Sequence, residues 1–249
     1  MKSLRLIVSA LVLLAAAAGL YAETGADILA KVETALTGPK DYEATAVMTL
    51  ADTDGGRRES RTLQIWIAGE DQRVIKFLSP AGIKGIGLLS TGENSMHLYL
   101  PAQNKIRMIS GNIKNQSFQG TDFSYNEMGS YEYRDDYSAD IQSETGEAWT
   151  LLLKKKPSSD REYEKLVMEV NKKDYVPRRI ELYKSGVLTK ILTISGVQTK
   201  GKYLVPVAIR MEDVVKKHYT EMKMEDLKFD QGLEAQQVFT KRFLKKRVR

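Results

Sequence analysis

Phe77-Leu78-Ser79-Pro80, Lys84-Gly85, Leu98-Tyr99-Leu100-Pro101 and Ser117-Phe118-Gln119-Gly120-Thr121-Asp122-Phe123-Ser124-Tyr125 punctuate residues 77–125 and decide how the chain is read. Apolar residues alternate with polar ones, tight turns interrupt them, and aromatics gather around one acid. No catalytic set lies in the stretch. The pattern suits a β-walled container better than an active site.

Working outward, the same period of two extends on both sides. Tyr42, Ala44, Ala46, Met48 and Leu50 alternate with mostly polar residues, and Asp52–Gly56 reads as a hairpin turn. Leu63, Ile65 and Ile67, then Ile75 and Phe77, then Met96, Leu98 and Leu100, then Ile106 and Met108 follow, with turn residues between them. Trp149–Leu153, Leu166–Val170, Pro177–Tyr183, Val187–Val197, Tyr203–Met211 and Tyr219–Phe229 continue the style. This spacing predicts an antiparallel meander of about ten or eleven strands. A sheet of that size twists, and it curls or closes to protect its edges. No linker, repeat or low-complexity tract divides residues 23–249, so a single domain is expected.

Two segments break the alternation. Ile28, Leu29, Val32, Ala35 and Leu36 fall at helical spacing behind Thr24, which has Asp27 three residues on; Gly38-Pro39 ends the run. This predicts an amphipathic helix over 24–37. Residues 110–130 hold Gly111, Gly120 and Gly129 among asparagines. They predict a long loop, or a loop with a short helix near Asp122–Met128. Its Phe118, Phe123, Tyr125 and Met128 suit a lid or a surface loop pinned by its own aromatics. Loops of this length are often functional. Asp122 in this setting is expected to cap a helix or tie the loop to backbone N–H groups.

Residues 1–22 read as a secretory signal peptide: Lys2 and Arg5, an uncharged apolar run from Leu6 to Leu20, and Ala22 before the expected cut. The run is short for a membrane span. The chain has no cysteine, which excludes disulfides, thiol catalysis and thiolate metal sites. Export without disulfides points to a bacterial periplasm. Of the net charge of +6, a large share sits in the tail 241–249, where Lys241, Arg242, Lys245, Lys246, Arg247 and Arg249 meet no acid. Such a tail is either solvated and frayed or drawn to anionic lipid headgroups or an acidic partner. Nucleic acid is not an expected partner of an exported chain with an otherwise balanced surface.

Chemistry-bearing patterns are weak. Gly82-Ile83-Lys84-Gly85-Ile86-Gly87 lacks the order of a phosphate loop and is followed by a strand pattern. The two histidines, His97 and His218, lie far apart on polar strand faces, and Asp135, Asp136 and Asp140 lack calcium-loop spacing. No catalytic residue, metal or cofactor is expected. The inward faces say more. Met48, Leu50, Leu63, Ile65, Ile67, Ile75, Phe77, Leu89, Met96, Leu98, Leu100, Ile106 and Met108 form one apolar surface if the alternation holds. It is either a solid core or the wall of a ligand cavity.

The chain resembles the outer-membrane lipoprotein-sorting protein family, the LolA-like and LolB-like periplasmic carriers, and within it the branch found with RND/MMPL-type transporters. The resemblance rests on the segments quoted at the outset together with Gly85-Ile86-Gly87, Lys105-Ile106-Arg107, Val205-Pro206, Phe239-Thr240 and Leu244. It implies a half-open antiparallel β-barrel whose mouth is closed by helices and whose concave side receives acyl chains. It also implies transfer between membrane sites without covalent chemistry. The thirteen inward residues would then be the cavity wall, with Phe118, Asp122, Phe123, Tyr125 and Met128 on the lid. In the family's lipoprotein carrier an arginine inside the barrel holds the lid; Arg73 and Arg107 are the candidates here. The lack of a cysteine after the apolar run implies a carrier free of a lipid tether. The alternative is an adaptor of an RND-type transporter with a filled barrel.

Overall fold

The computed structural model describes residues 23–92, 95–130, 132–201 and 203–247, with nothing said of the Lys200 side chain. The expected signal peptide lies outside the described residues. The order of elements is α1 (Gly25–Leu36), β1 (Asp41–Asp52), β2 (Arg58–Ala68), β3 (Gln72–Ser79), β4 (Gly87–Thr91), β5 (Met96–Leu100), β6 (Lys105–Ile109), α2 (Tyr125–Gly129), β7 (Tyr137–Glu144), β8 (Ala148–Lys155), β9 (Lys165–Asn171), β10 (Pro177–Lys184), β11 (Val187–Lys200), β12 (Tyr203–Asp213), β13 (His218–Phe229) and α3 (Lys241–Leu244).

All thirteen strands belong to one sheet in the order β6-β5-β4-β3-β2-β1-β13-β12-β11-β10-β9-β8-β7. Every neighbouring pair is antiparallel. The sheet is two meanders fused where β1 meets β13, and it stays open between β6 and β7. The expected mainly β, half-open barrel is therefore the fold. Two strands go beyond the eleven segments read from the pattern. β4 follows the glycine-rich turn, and β7 is a largely exposed edge strand that the pattern does not mark.

The open edges explain residues 110–136. β6 and β7 are the two ends of the sheet, and this segment is the chain that joins them. It crosses the concave face, and Phe118, Phe123, Tyr125 and Met128 are buried there in the same apolar cluster as the inner strand residues. α1 forms where its pattern predicts. Thr24 accepts from the Asp27 N–H while the Asp27 carboxylate accepts from the Thr24 N–H, the reciprocal cap that satisfies two first-turn donors. Its buried stripe of Ile28, Leu29, Val32 and Leu36 joins the main core. Gly25 lets it sit close to β7, since a Cβ there would lie 2.5 Å from the Ala139 carbonyl oxygen.

The convex face has its own cover. Val74 and Leu89 pack with Leu233, Val238 and Leu244 of the C-terminal segment, flanked by Trp66, Tyr99, Ile106, Phe239 and Phe243. Asp41 fixes the start of this strap by accepting from the N–H groups of Gln231 (2.6 Å) and Leu233 (3.1 Å). Lys76 fixes its end by donating to the carbonyls of Phe243 and Lys246, both at 2.7 Å. Gly87 makes room for it: a Cβ there would meet Leu244 at 2.8 Å. The start of the basic tail is thus docked rather than frayed; residues 248–249 lie outside the described residues.

The strap corrects three inward assignments. Cross-strand partners share a face, and the inner row runs Leu63↔Phe77, Ile65↔Ile75, Ile75↔Leu88, Leu88↔Leu98 and Met96↔Ile109. Leu89 therefore points outward with Val74, and Ile106 outward with Tyr99, into the strap cluster. Met108 pairs with outward His97 and is 57% exposed.

Candidate functional site

The concave face encloses a cavity of about 80 Å³. Its apolar wall comes from both meanders. β2 and β3 supply Ile65, Ile67 and Ile75; β10 and β11 supply Ile180, Leu182, Leu192 and Ile194; β12 and β13 supply Ile209, Met211, Met222 and Met224. Methionines suit such a wall because their unbranched chains adapt to shape. The lid contributes Phe123 and Met128, and a polar fringe includes Arg73, Glu127, Glu132 and Arg161. Burial pushes the Glu132 carboxyl up, with Asp71 adding to the effect.

Of the inward residues read from the sequence, Ile65, Ile67 and Ile75 line the cavity. Met48, Leu50, Leu63, Phe77, Met96 and Leu98 are buried in the adjoining core, and Leu100 packs against it partly buried. Leu89, Ile106 and Met108 lie on the other face. The β9–β13 half of the wall was missed, although Leu192/Ile194, Ile209/Met211 and Met222/Met224 carry the same alternation.

The lid is built around a turn. The Phe118 N–H donates to the Phe123 carbonyl (2.8 Å), and Gln119 and Gly120 take positive φ between them. Phe118 is fully buried, stacks on Phe77 with ring centroids 5.5 Å apart, and meets Tyr125 edge-on. Ser124, rather than Asp122, caps α2 in a reciprocal box with Glu127. Asp122 instead ties the turn across to β13: its Oδ2 accepts from Thr220 Oγ1 at 2.7 Å and lies 2.7 Å from His218 Nδ1. Its N–H also donates to Thr220 Oγ1, at 3.0 Å. Lys190 on β11 donates to the Asp122 carbonyl at 2.6 Å.

On the opposite side, Arg61 of β2 donates from Nη1 to the Gln119 carbonyl at 2.7 Å. Arg61 faces inward beside Met48 and lies over the Phe77 ring. Of the two arginines expected to hold the lid, Arg107 is exposed, and Arg73 lines the cavity. Arg61, which the sequence reading did not name, joins the β2 wall to the lid. The signal available was its place in phase with Leu63 and Ile65. The far end of the lid is held by α1: Glu33, 3% exposed, accepts from the N–H groups of Tyr133 (2.6 Å) and Arg134 (2.7 Å) and pairs with the Arg134 guanidinium. Among the described residues, no group of three or more His, Cys, Asp or Glu is placed to hold a metal ion, and no helix is long and apolar enough to cross a membrane.

A family model described as that of uncharacterized-protein-like chains matches residues 69–246. No curated protein matches the chain. Among solved structures, a putative outer membrane lipoprotein-sorting protein domain from Vibrio parahaemolyticus is 26% identical with a TM-score of 0.79, over 89% of this chain and 98% of that one. A DUF1329 family protein from Desulfovibrio piger is 24% identical with a TM-score of 0.81, over 88% and 97% of the two chains. A LolA superfamily protein from Nitrosomonas europaea, 19% identical with a TM-score of 0.73, covers 89% of this chain and is itself covered in full at 100%. The latter two share the fold. The chain belongs to the matched family, and its fold is that of the putative outer membrane lipoprotein-sorting domain and of the LolA superfamily protein.

Proposed function

We propose that the protein is an exported, periplasmic carrier. It holds the acyl chains of a lipid or lipoprotein in the concave cavity and passes them between membrane sites without covalent chemistry. The observation that carries this reading is an apolar, methionine-rich cavity inside an open sheet, closed by a segment tied down through a few polar contacts. Burying each methylene of a chain supplies about 0.8 kcal/mol. Release therefore requires a second apolar site of comparable depth on a membrane or a partner. The cavity, at about 80 Å³, is well below the ~300 Å³ at which small-molecule pockets begin. Loading must move the lid.

The test is a charge on the wall. Ile65→Glu places a carboxylate among Ile67, Ile75 and the β13 methionines. It should abolish uptake of a fluorescent fatty acid while the variant keeps the native circular dichroism spectrum. A folded variant that still loads the probe would refute the reading.

A further inference from the structure

One end of the sheet gathers features that the cavity does not use. It is the end where β2, β11 and β13 begin and β1, β3, β5 and β12 finish. Two apolar side chains stand out in solvent there, Val187 where β11 leaves the β10–β11 turn (58% exposed) and Val215 in the β12–β13 turn (65% exposed). Exposed lysines stand beside both: Lys184, paired with Glu162, by the first, and Lys216, paired with Asp213, with Lys217 by the second. An apolar tip with long cationic side chains beside it suits the boundary between water and acyl chains, where the tip is dehydrated and the ammonium groups stay at headgroup level.

The docked C-terminal segment adds charge at the same end. Lys76, which holds the Phe243 and Lys246 carbonyls, is paired with Gly87 at the start of β4. The strap therefore delivers Lys245, Lys246 and Arg247, all exposed, to this end, with Lys241 and Arg242 exposed one turn earlier. The exposed Lys84 sits in the neighbouring β3–β4 turn, where Gly85 approaches Pro101 of the β5–β6 turn. The sequence carries the same asymmetry. Residues 235–249 hold six bases and no acid, and the exposed bases of residues 72–121 are Lys84, Lys105 and Arg107. Acids stand at this end too: Asp52 and Asp54 of the β1–β2 turn, with Arg57 and Arg58 following them, Glu59 in β2, Glu164 accepting from the Ser185 and Gly186 N–H groups, and Asp213 finishing β12.

We infer that this end of the sheet is a docking surface for a membrane rich in anionic lipid headgroups, with Val187 and Val215 as shallow apolar anchors. The lid turn lies at the same end, since Arg61, Lys190, His218 and Thr220, which hold it, are all near the starts of β2, β11 and β13. Docking brings the movable part of the cover to the lipid surface. An acidic protein would be attracted by the same charges but has no use for two separated valine tips projecting into solvent. The inference does not depend on the cavity being loaded.

The test is flotation of the protein from residue 23 onward with vesicles of phosphatidylglycerol and phosphatidylethanolamine, against vesicles of phosphatidylcholine alone. Binding to the anionic vesicles is expected, weakening as salt rises. A variant carrying Lys241→Gln, Arg242→Gln, Lys245→Gln and Lys246→Gln should bind at least tenfold more weakly, because each base near an anionic surface contributes about a fivefold factor. Val187→Asp with Val215→Asp should also weaken binding tenfold or more, while leaving the fatty-acid uptake of the free protein unchanged. Equal binding to neutral vesicles, or wild-type binding by both variants, would overturn the proposal. So would capture by polyglutamate without any vesicle binding, which would mark an acidic-protein surface instead.

Discussion

Lys76 shows how a single residue can be placed against its chemistry for a structural end. It is 1% exposed, sits between outward-facing apolar residues, and donates to two carbonyls that the final helix leaves open. Burial, with Lys246 nearby, holds its ammonium down at about 8 from an ordinary 10.5. The unfolded chain binds this proton more tightly than the folded one, so folding stability rises with pH between about 8 and 10.5 as the burden of the buried charge is lifted. Below pH 8 the penalty is present in full. The urea midpoint of the wild type relative to Lys76→Met should therefore rise over that window, by up to about 3 kcal/mol when converted to free energy. A difference that stays flat with pH would show that Lys76 is hydrated in solution.

The same residue shows what a sequence hides at this scale. In β3, Val74, Ile75, Lys76 and Phe77 are all buried, because the strap covers one face and the core the other. Alternation vanishes where both faces are covered. Leu88-Leu89 in β4 reads equally well in either phase for the same reason, and Leu89 was placed on the wrong face. Ile65 and Ile67, on a strand with one partly solvated face, were legible at once.

At the scale of elements, the lid is the part most open to test. It is secured by side chains from β2, β11 and β13 and, through Glu33, from α1. Asp122→Ala removes the acceptor of Thr220, a hydroxyl with no exposure, and leaves His218 without its carboxylate. The cost should be about 1–3 kcal/mol. The loss should be local: amide exchange of Phe118, Thr121 and Asp122 should quicken by tenfold or more, while the β1–β13 ladder keeps its protection. Uniform loss of protection would mean that the lid and sheet open as one unit. The sequence marked this segment through its glycines and aromatics. It could not show that Asp122 bonds to side chains 96 and 98 residues away, since that pairing follows from strand register, not from local pattern. β7 escaped notice because only Tyr137 and Ala139 of this edge strand meet the core, and its remaining exposed residues carry no apolar alternation.

At the scale of the whole molecule, one sheet does two jobs. Its concave side and its lid make a small apolar cavity, and its convex side is covered by the C-terminal strap. Because the lid joins the two open edges of the sheet, it can move without breaking any strand pair. Because β1 and β13 meet in the middle of the sheet, the first and last strands stabilise the wall opposite the opening. A rigid wall with a separately secured cover suits reversible loading of an apolar chain.

The measurement that tests this account most directly is native mass spectrometry of the protein purified from a periplasm without detergent, followed by solvent extraction and lipid analysis. The account predicts an acyl species bound in defined stoichiometry, or an empty protein that takes up one chain-bearing lipid when it is added. A protein that emerges empty and stays empty with added lipid would contradict it, and the cavity would then be a packing defect of a filled barrel.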